Sequence, residues 1–197
     1  MRESAQIERR RSIEEAAYAL IDEKGYDNIS MLAIAKRAKA SNETLYRWYG
    51  DKKGLFQAMV IRNADEVYAS LVEDLDRQRD PMQILEDISL KLLRLLTSDR
   101  AIALNRAAAA DASGELGIAL SKVGRERVLP LISRVLGQIK DQGTFGDLSL
   151  EEVTRLYMNL LIGDLQIRRA IGVMPAPNET ELKATTRKAL DHLLKFA

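Results

Sequence analysis

Apolar residues recur at helical spacing from the start of the chain. Ile13, Ala17, Leu20 and Ile21 share one face of a first helix that ends near Gly25. Two short helices follow over about 30–38 and 43–49, the first with Ser30 positioned to cap it. Asp51 can cap a long fourth helix whose apolar positions are Leu55, Phe56, Met59, Val60, Val67, Leu71 and Leu75.

Later helices are marked by capping signals. The pattern of a capping residue followed three positions later by Glu or Gln occurs at Asp80, Ser149 and Asn178. Pro130 is expected to kink or divide a helix through 116–141, and continuous helices are expected over 149–171 and 178–196. These patterns predict about nine helices and no strand, because no alternation of period two occurs. The predicted fold class is all-α.

The segment 30–56 is the most informative part of the chain. Two short helices joined by a tight turn would lean on the first helix, with Ile34, Ala35, Ala38, Leu45 and Tyr49 facing a small core. The exposed side of the second short helix could then enter the major groove of DNA. The residues alone leave open two other interpretations. One is a helical bundle in which Tyr46, Trp48 and Tyr49 are core residues, and the other is a helical protein-interaction module in which this aromatic cluster is a docking patch.

The same segment resembles the TetR/AcrR family of bacterial repressors. The resemblance covers about residues 9–60 and rests on Ser30, Ile34-Ala35, Ala38, Ser41, Thr44-Leu45-Tyr46, Trp48-Tyr49, Lys52 and Leu55-Phe56. It implies that Thr44 and Tyr46 contact the DNA backbone or bases and that Lys52 contacts a phosphate. The candidate DNA-binding residues are Ser30, Met31, Ser41, Asn42, Glu43, Thr44, Tyr46, Arg47, Tyr49, Lys52 and Lys53.

The segment departs from the family pattern at two positions. Lys39 stands where the turn usually has glycine, so the backbone must accept a side chain there. Glu43 places a negative charge at the groove-facing start of the recognition helix, where it is either a specificity residue or a neutral bystander. The run Arg9-Arg10-Arg11 also has two interpretations, a solvated charge run or an arm that contacts phosphates.

The last two predicted helices are apolar on more than one side. Such helices are either internal or packed against another subunit, and the resemblance implies a four-helix bundle between two subunits. Two-fold symmetry would then place the recognition helices roughly 34–36 Å apart, about one turn of DNA. The candidate dimer-interface residues are Leu160, Asp164, Ile167, Leu190, Leu193 and Leu194.

The resemblance also implies an effector pocket within the middle helices, about 55–142. Its candidate polar residues are Asn63, Tyr68, Asn105, Arg106 and Asn159, although each could instead be solvated or satisfied in the core. A lining rich in leucine favours a small apolar effector. The predicted domains are therefore a helix-turn-helix DNA-binding domain, 1–51, and an effector-binding and dimerisation domain, 52–197.

Composition and motifs exclude several other classes of protein. Hydrophobic residues make up 46% and charged residues 30% of the chain, which is typical of a globular domain. The chain has no cysteine, no secretory-signal pattern and no run of about 20 apolar residues, so we expect a cytoplasmic protein without disulfides or a membrane span. No phosphate-binding glycine loop or nucleophile elbow occurs, and His192 is the single histidine. We therefore expect no catalytic residue, metal or cofactor.

The function predicted from these features is a ligand-responsive regulator. It would bind a palindromic operator on double-stranded DNA as a homodimer, act as a repressor, and be released by the effector. A mild charge asymmetry agrees with this prediction, since residues 1–62 hold 12 Lys and Arg against 9 Asp and Glu.

Overall fold

The computed structural model describes residues 2–196, with side chains from residue 4 onward, and every regular element in that range is helical. The all-α prediction is confirmed. The first six helices are α1 (Arg2–Lys24), α2 (Met31–Arg37), α3 (Asn42–Tyr49), α4 (Lys52–Asp76), α5 (Pro81–Thr97) and α6 (Asp99–Ala110). The next five are α7 (Glu115–Leu120), α8 (Glu126–Asp141), α9 (Leu150–Ile162), α10 (Leu165–Ala170) and α11 (Glu179–Leu193). A π-helical turn, Ser121–Arg125, joins α7 to α8, and a 3-10 turn, Leu194–Phe196, follows α11.

Two predicted helices are divided, and neither division lies where the sequence pointed to one. The helix expected over 149–171 ends at Gly163, whose φ of 50° lies in the left-handed region, and restarts as α10. The helix expected through 116–141 is divided at the π-helical turn, whereas Pro130 lies inside α8. These divisions explain why the described residues form eleven α-helices rather than about nine.

The predicted helix starts carry the expected caps. Asp80 Oδ1 accepts from the Gln83 amide at 3.0 Å, which begins α5. Complete capping boxes join Ser149 to Glu152 at the start of α9 and Asn178 to Glu181 at the start of α11. Each cap satisfies backbone amides that have no partner within the helix.

The chain forms two compact units. Unit 1 contains residues up to 62 together with 103–123, and unit 2 contains 63–102 and the residues from 124 onward. The middle of the chain therefore returns to the unit that holds the helix-turn-helix. The functional boundary predicted at residue 51 stays a prediction; the compact units divide α4 after Arg62.

Each unit has its own apolar core. In unit 1 the buried side chains of α1–α4 include Ile13, Ile34, Leu45 and Phe56, joined by Leu104, Ala107, Leu116 and Ala119 from α6 and α7. In unit 2, α5, α8, α9 and α11 pack together around residues such as Leu85, Ile132, Leu161 and Leu193. No helix in the described part of the chain combines the length and apolar character needed to cross a bilayer.

A buried hydroxyl pair lies inside the core of unit 2. Tyr157, which is 1% exposed, has its phenol oxygen 2.9 Å from Ser89 Oγ. Ser89 in turn donates to the Leu85 carbonyl. Burial raises the pKa of Tyr157 because the phenolate would lose its hydration, so the hydroxyl stays protonated and bonded.

A buried carboxylate connects three helices of unit 1. Glu14 on α1 is 3% exposed, and its Oε2 lies 2.6 Å from Arg62 Nε on α4. Its Oε1 accepts a hydrogen bond from the Tyr49 hydroxyl on α3 at 3.4 Å. Burial and, next, the Glu14 charge raise the pKa of Tyr49, which keeps its phenol as a donor. The recognition helix is thus attached to α1 and α4 by polar contacts as well as by apolar packing.

We predict that Glu14→Gln destabilises unit 1, because it leaves the Arg62 guanidinium without its counter-charge. The expected loss is about 2 kcal/mol, below the usual cost of breaking a buried pair because the Arg62 side chain is 35% exposed. The single tryptophan, Trp48, lies on α3, so its fluorescence during urea unfolding reports on this unit.

Glu8→Gln is the matched control, since Glu8 is exposed on the same helix, and it should change stability by less than about 0.5 kcal/mol. An unfolding midpoint for Glu14→Gln equal to that of the control would contradict the structural role of Glu14.

Candidate DNA-binding site

The helix-turn-helix is formed by α2, a short turn and α3. Ser30 Oγ accepts from the Ala33 amide at 3.2 Å and begins α2, and Ser41 Oγ accepts from the Thr44 amide at 3.1 Å and begins α3. Between them Lys39 has a φ of 51°, in the left-handed region that glycine usually occupies. The turn keeps its geometry with a lysine, at a cost on the order of 1 kcal/mol.

Helix α3 has one buried and one exposed side. Leu45 is fully buried, and Trp48 and Tyr49 are half-buried against the rest of unit 1. The exposed side carries four polar side chains, which we call the α3 face: Asn42, Glu43, Tyr46 and Arg47. Residues three and four positions apart in a helix are neighbours on its surface, so these four side chains lie on one side of α3, where a partner could contact all of them.

The hydroxyls of Ser41 and Thr44 are used within the motif itself. Their oxygens lie 2.8 Å apart, and Ser41 also caps the helix. Thr44 is partly buried, and Met31, at 4% exposed, is part of the core. These side chains hold the shape of the motif, and the α3 face carries the groups that point to solvent.

Lys52, at the start of α4, is bonded to the loop between α1 and α2. Its Nζ donates to the carbonyls of Tyr26 at 3.0 Å and Ile29 at 3.2 Å, and lies 4.4 Å from the centre of the Tyr26 ring. Burial, followed by the charge of Asp51, raises the pKa of Tyr26 to about 12. An ammonium has three donors, so these two bonds position Lys52 with one donor left for another acceptor.

The neighbouring Lys53 forms an ion pair within unit 1. Its Nζ lies 2.8 Å from the carboxylate of Glu115 in the first turn of α7, with side chains that are 42% and 60% exposed. Glu115 is not among the residues that the sequence pointed to. The two positions are 62 residues apart, so no local pattern could have revealed the contact.

The arginine run at 9–11 lies within α1. Arg9 Nη1 donates to the Ala38 carbonyl at 3.3 Å, at the end of α2. The Arg10 guanidinium lies 5.5 Å from the centre of the Trp48 ring, whereas Arg11 is exposed. Two of the three arginines therefore contact the helix-turn-helix, and the run is neither a fully solvated surface nor a separate arm.

The effector candidates are divided between the units. Asn63, Tyr68 and Asn159 belong to unit 2, and Asn105 and Arg106 belong to unit 1. In unit 2 the Arg127 guanidinium lies 4.0 Å from the centre of the Tyr68 ring and pairs with Asp65 at 2.8 Å, while Asn159 is exposed on α9. Within the residues that the structure describes, no cluster of His, Asp or Glu could hold a metal ion.

The dimer candidates also fall into two groups. Leu190 and Leu193 are 7% and 0% exposed within a single chain, which places them in the core of unit 2. Leu160 is half-buried, and Asp164, Ile167 and Leu194 are exposed. Three further apolar residues are exposed and were not among the candidates, because they lie outside the apolar faces that periodicity identified: Ile171, Val173 and Phe196.

Two family models match the chain. The model of bacterial regulatory proteins of the tetR family matches residues 13–59, which contain the helix-turn-helix. The model of the AefR-like transcriptional repressor C-terminal domain matches residues 83–196. The second match alone covers more than half of the 197 residues.

Individual proteins agree with these matches. An HTH-type transcriptional regulator of Staphylococcus aureus (strain USA300) is 36% identical over 94 residues, which are 46% of this chain and 50% of that protein. The match thus spans about half the length of this curated relative. A crystal structure of a TetR transcriptional regulator from Agrobacterium tumefaciens is 26% identical with a TM-score of 0.71, covering 95% of this chain and 93% of that one.

A third protein shares the fold at lower identity. The transcriptional regulator FadR from Bacillus subtilis, in complex with stearoyl-CoA, has a TM-score of 0.70 and 19% identity, covering 95% of this chain and 98% of that one. Together, the two family models and the helix-turn-helix geometry lead to one conclusion: the chain belongs to the TetR family of bacterial transcriptional regulators.

Proposed function

We propose that this protein is a ligand-responsive repressor that binds a palindromic operator as a homodimer and releases it when a small apolar effector binds. The observation that carries the proposal is the α3 face. Four exposed polar side chains stand on one side of a capped helix that unit 1 holds in place. This arrangement suits insertion into the major groove.

Cations beside the α3 face support the DNA-binding part of the proposal. Lys52 is positioned at the N-terminus of α4 with a remaining donor, and Lys53 is partly exposed next to it. Lysines at a helix N-terminus are suited to contact phosphates, which orient the protein on the duplex. Base edges would then be read from the α3 face.

Exposed apolar side chains in unit 2 support the dimer. Four apolar side chains are each more than half exposed: Ile167, Ile171, Val173 and Phe196. The remaining apolar candidates at the surface are Leu160, which is half-buried, and Leu194, which is exposed. Apolar groups exposed in such number are typical of surfaces that pack against another protein. A two-fold dimer would read a palindromic operator because its two recognition helices are related by symmetry.

The effector and the repressing role are supported by the C-terminal match and by a relative. The matching family model describes AefR-like transcriptional repressors, and the FadR protein of similar fold carries stearoyl-CoA. Unit 2 is rich in leucine and isoleucine, so an apolar ligand suits its interior.

We predict that Arg47→Ala weakens binding to the operator by about tenfold or more, since an arginine on a base or phosphate contributes this much. Fluorescence anisotropy with DNA from upstream of the gene, against scrambled duplex, measures the change. Arg134→Ala is the matched control, because Arg134 is exposed on α8 in unit 2. An operator affinity of Arg47→Ala equal to that of Arg134→Ala would contradict a DNA contact by Arg47. Binding of neither duplex by the unaltered protein would favour the alternative, an interaction module without DNA binding.

We predict that an apolar effector lowers operator affinity by about 5- to 150-fold, the usual range of coupling between two sites. Stearoyl-CoA and lauroyl-CoA are the probes to add to the operator complex, and free coenzyme A is the control that lacks the chain. Calorimetry with the DNA-free protein measures ligand binding separately. Binding of an acyl-CoA without any change in operator affinity would contradict the coupling, and binding of neither would contradict an acyl effector.

The ion pair of Lys53 with Glu115 offers a connection between the middle of the chain and the DNA-binding surface. A phosphate would compete with the Glu115 carboxylate for the same ammonium. We predict that Glu115→Gln tightens DNA binding by about 2- to 5-fold, since exposed pairs contribute little. The slope of the logarithm of the binding constant against the logarithm of the salt concentration should also become more negative by about one. The effect should vanish in a Lys53→Ala background, and its persistence there would contradict the competition.

A further inference from the structure

Two charged side chains of the α3 face, Glu43 and Arg47, could form an ion pair with each other but do not. Glu43 and Arg47 are four residues apart with the acid first, the order that favours pairing on a helix. Within the described residues, some pairs of this order are formed, such as Glu73 with Arg77 at 2.7 Å, and others are not, such as Glu151 with Arg155. Among the described residues, neither Glu43 nor Arg47 has an ion-pair or hydrogen-bond partner from its side chain.

The capping bond at the N-terminus of α3 does not involve Glu43. The capping bond comes from Ser41, whose oxygen accepts from the Thr44 amide. An acidic residue in the first turn still interacts favourably with the helix dipole, so a purely structural role would appear as a loss of stability on removal of its charge. This alternative makes a prediction that can be measured separately.

A carboxylate on a DNA-reading surface is repelled by every phosphate. Electrostatic attraction dominates binding to any duplex, so Glu43 lowers affinity for DNA in general. The carboxylate can stabilise a complex with DNA only by accepting a hydrogen bond from a donor on a base edge. The major groove has two such donors, the N4 amino group of cytosine and the N6 amino group of adenine.

The two donors differ in their neighbours. Adenine presents the N7 acceptor beside its amino group, which repels a group that can only accept. Cytosine presents its amino group without an acceptor on the same base edge of the groove. A carboxylate therefore favours cytosine, whereas an amide, which can donate and accept, favours adenine.

We propose that Glu43 is a specificity-determining residue that accepts a hydrogen bond from the N4 amino group of one cytosine in each operator half-site. The proposal rests on the operator binding proposed above. Arg47, one turn further along the same face, supplies the positive charge that offsets the repulsion between Glu43 and the phosphates.

Selection of bound duplexes from a random pool tests the proposal. The unaltered protein should select cytosine at one position of each half-site, and Glu43→Gln should select adenine there, because a glutamine side chain pairs with both N6 and N7. Glu43→Ala should show no preference at that position. With the selected operator, replacing this cytosine by thymine should weaken the unaltered protein about tenfold and Glu43→Ala less than about twofold.

The control removes an equal charge elsewhere. Glu86→Gln changes an exposed acid on α5 in unit 2 and should select the same sequence as the unaltered protein. Because loss of a negative charge can raise affinity for any duplex, the selected base is the readout rather than the affinity. Urea unfolding followed by Trp48 fluorescence reports whether α3 remains folded in each variant.

The outcomes separate this proposal from the one on which it depends. If Glu43→Gln selects the same sequence as the unaltered protein, the proposal is overturned, and a loss of stability would assign Glu43 to the helix dipole. A folded Glu43→Ala that binds no DNA would also overturn it, since one base contact is not required for attraction to phosphates. If the unaltered protein selects no sequence at all, the operator binding proposed above fails and this inference fails with it.

Discussion

The DNA-binding unit depends on a buried carboxylate that joins three helices. Glu14 lies in an apolar environment, and Arg62 and Tyr49 stabilise its charge there by contacting its two oxygens. These contacts attach α3 to α1 and α4 in a defined orientation, which apolar packing of small alanines alone specifies less strictly. The position of the α3 face therefore depends on these polar contacts together with the apolar packing of Leu45.

The middle of the chain returns to unit 1 between two parts of unit 2. Residues 103–123 pack into the core of that unit through Leu104, Ala107 and Leu116, while unit 2 continues on both sides of the segment. Glu115 in this segment reaches Lys53 at the start of α4. Within unit 1, this segment of the middle of the chain therefore contacts a residue proposed to bind phosphate.

The charged side chains of α3 and of the start of α4 are proposed to have two different effects on DNA binding. Lys52, Lys53 and Arg47 would attract any duplex, whereas Glu43 can contribute only where a base offers a donor. The turn before this helix accepts Lys39 in the left-handed region, so the departure from glycine leaves the motif intact. Lys39 in the turn and Glu43 on the α3 face are both compatible with the helix-turn-helix geometry.

The sequence by itself determined the features that depend on neighbours within a few residues. Helix periodicity, the caps at Asp80, Ser149 and Asn178, and the spacing of the helix-turn-helix all follow from contacts made within one turn, so local patterns reveal them. Tertiary structure decided which polar side chains distant in sequence contact each other and which apolar helix faces are buried within the chain. The contacts of Glu14 with Tyr49 and of Lys53 with Glu115 join residues 35 and 62 positions apart, and Leu193 is buried by helices distant in sequence. Periodicity identifies an apolar side of a helix, but only the packing of the other helices determines whether that side faces the core or another subunit.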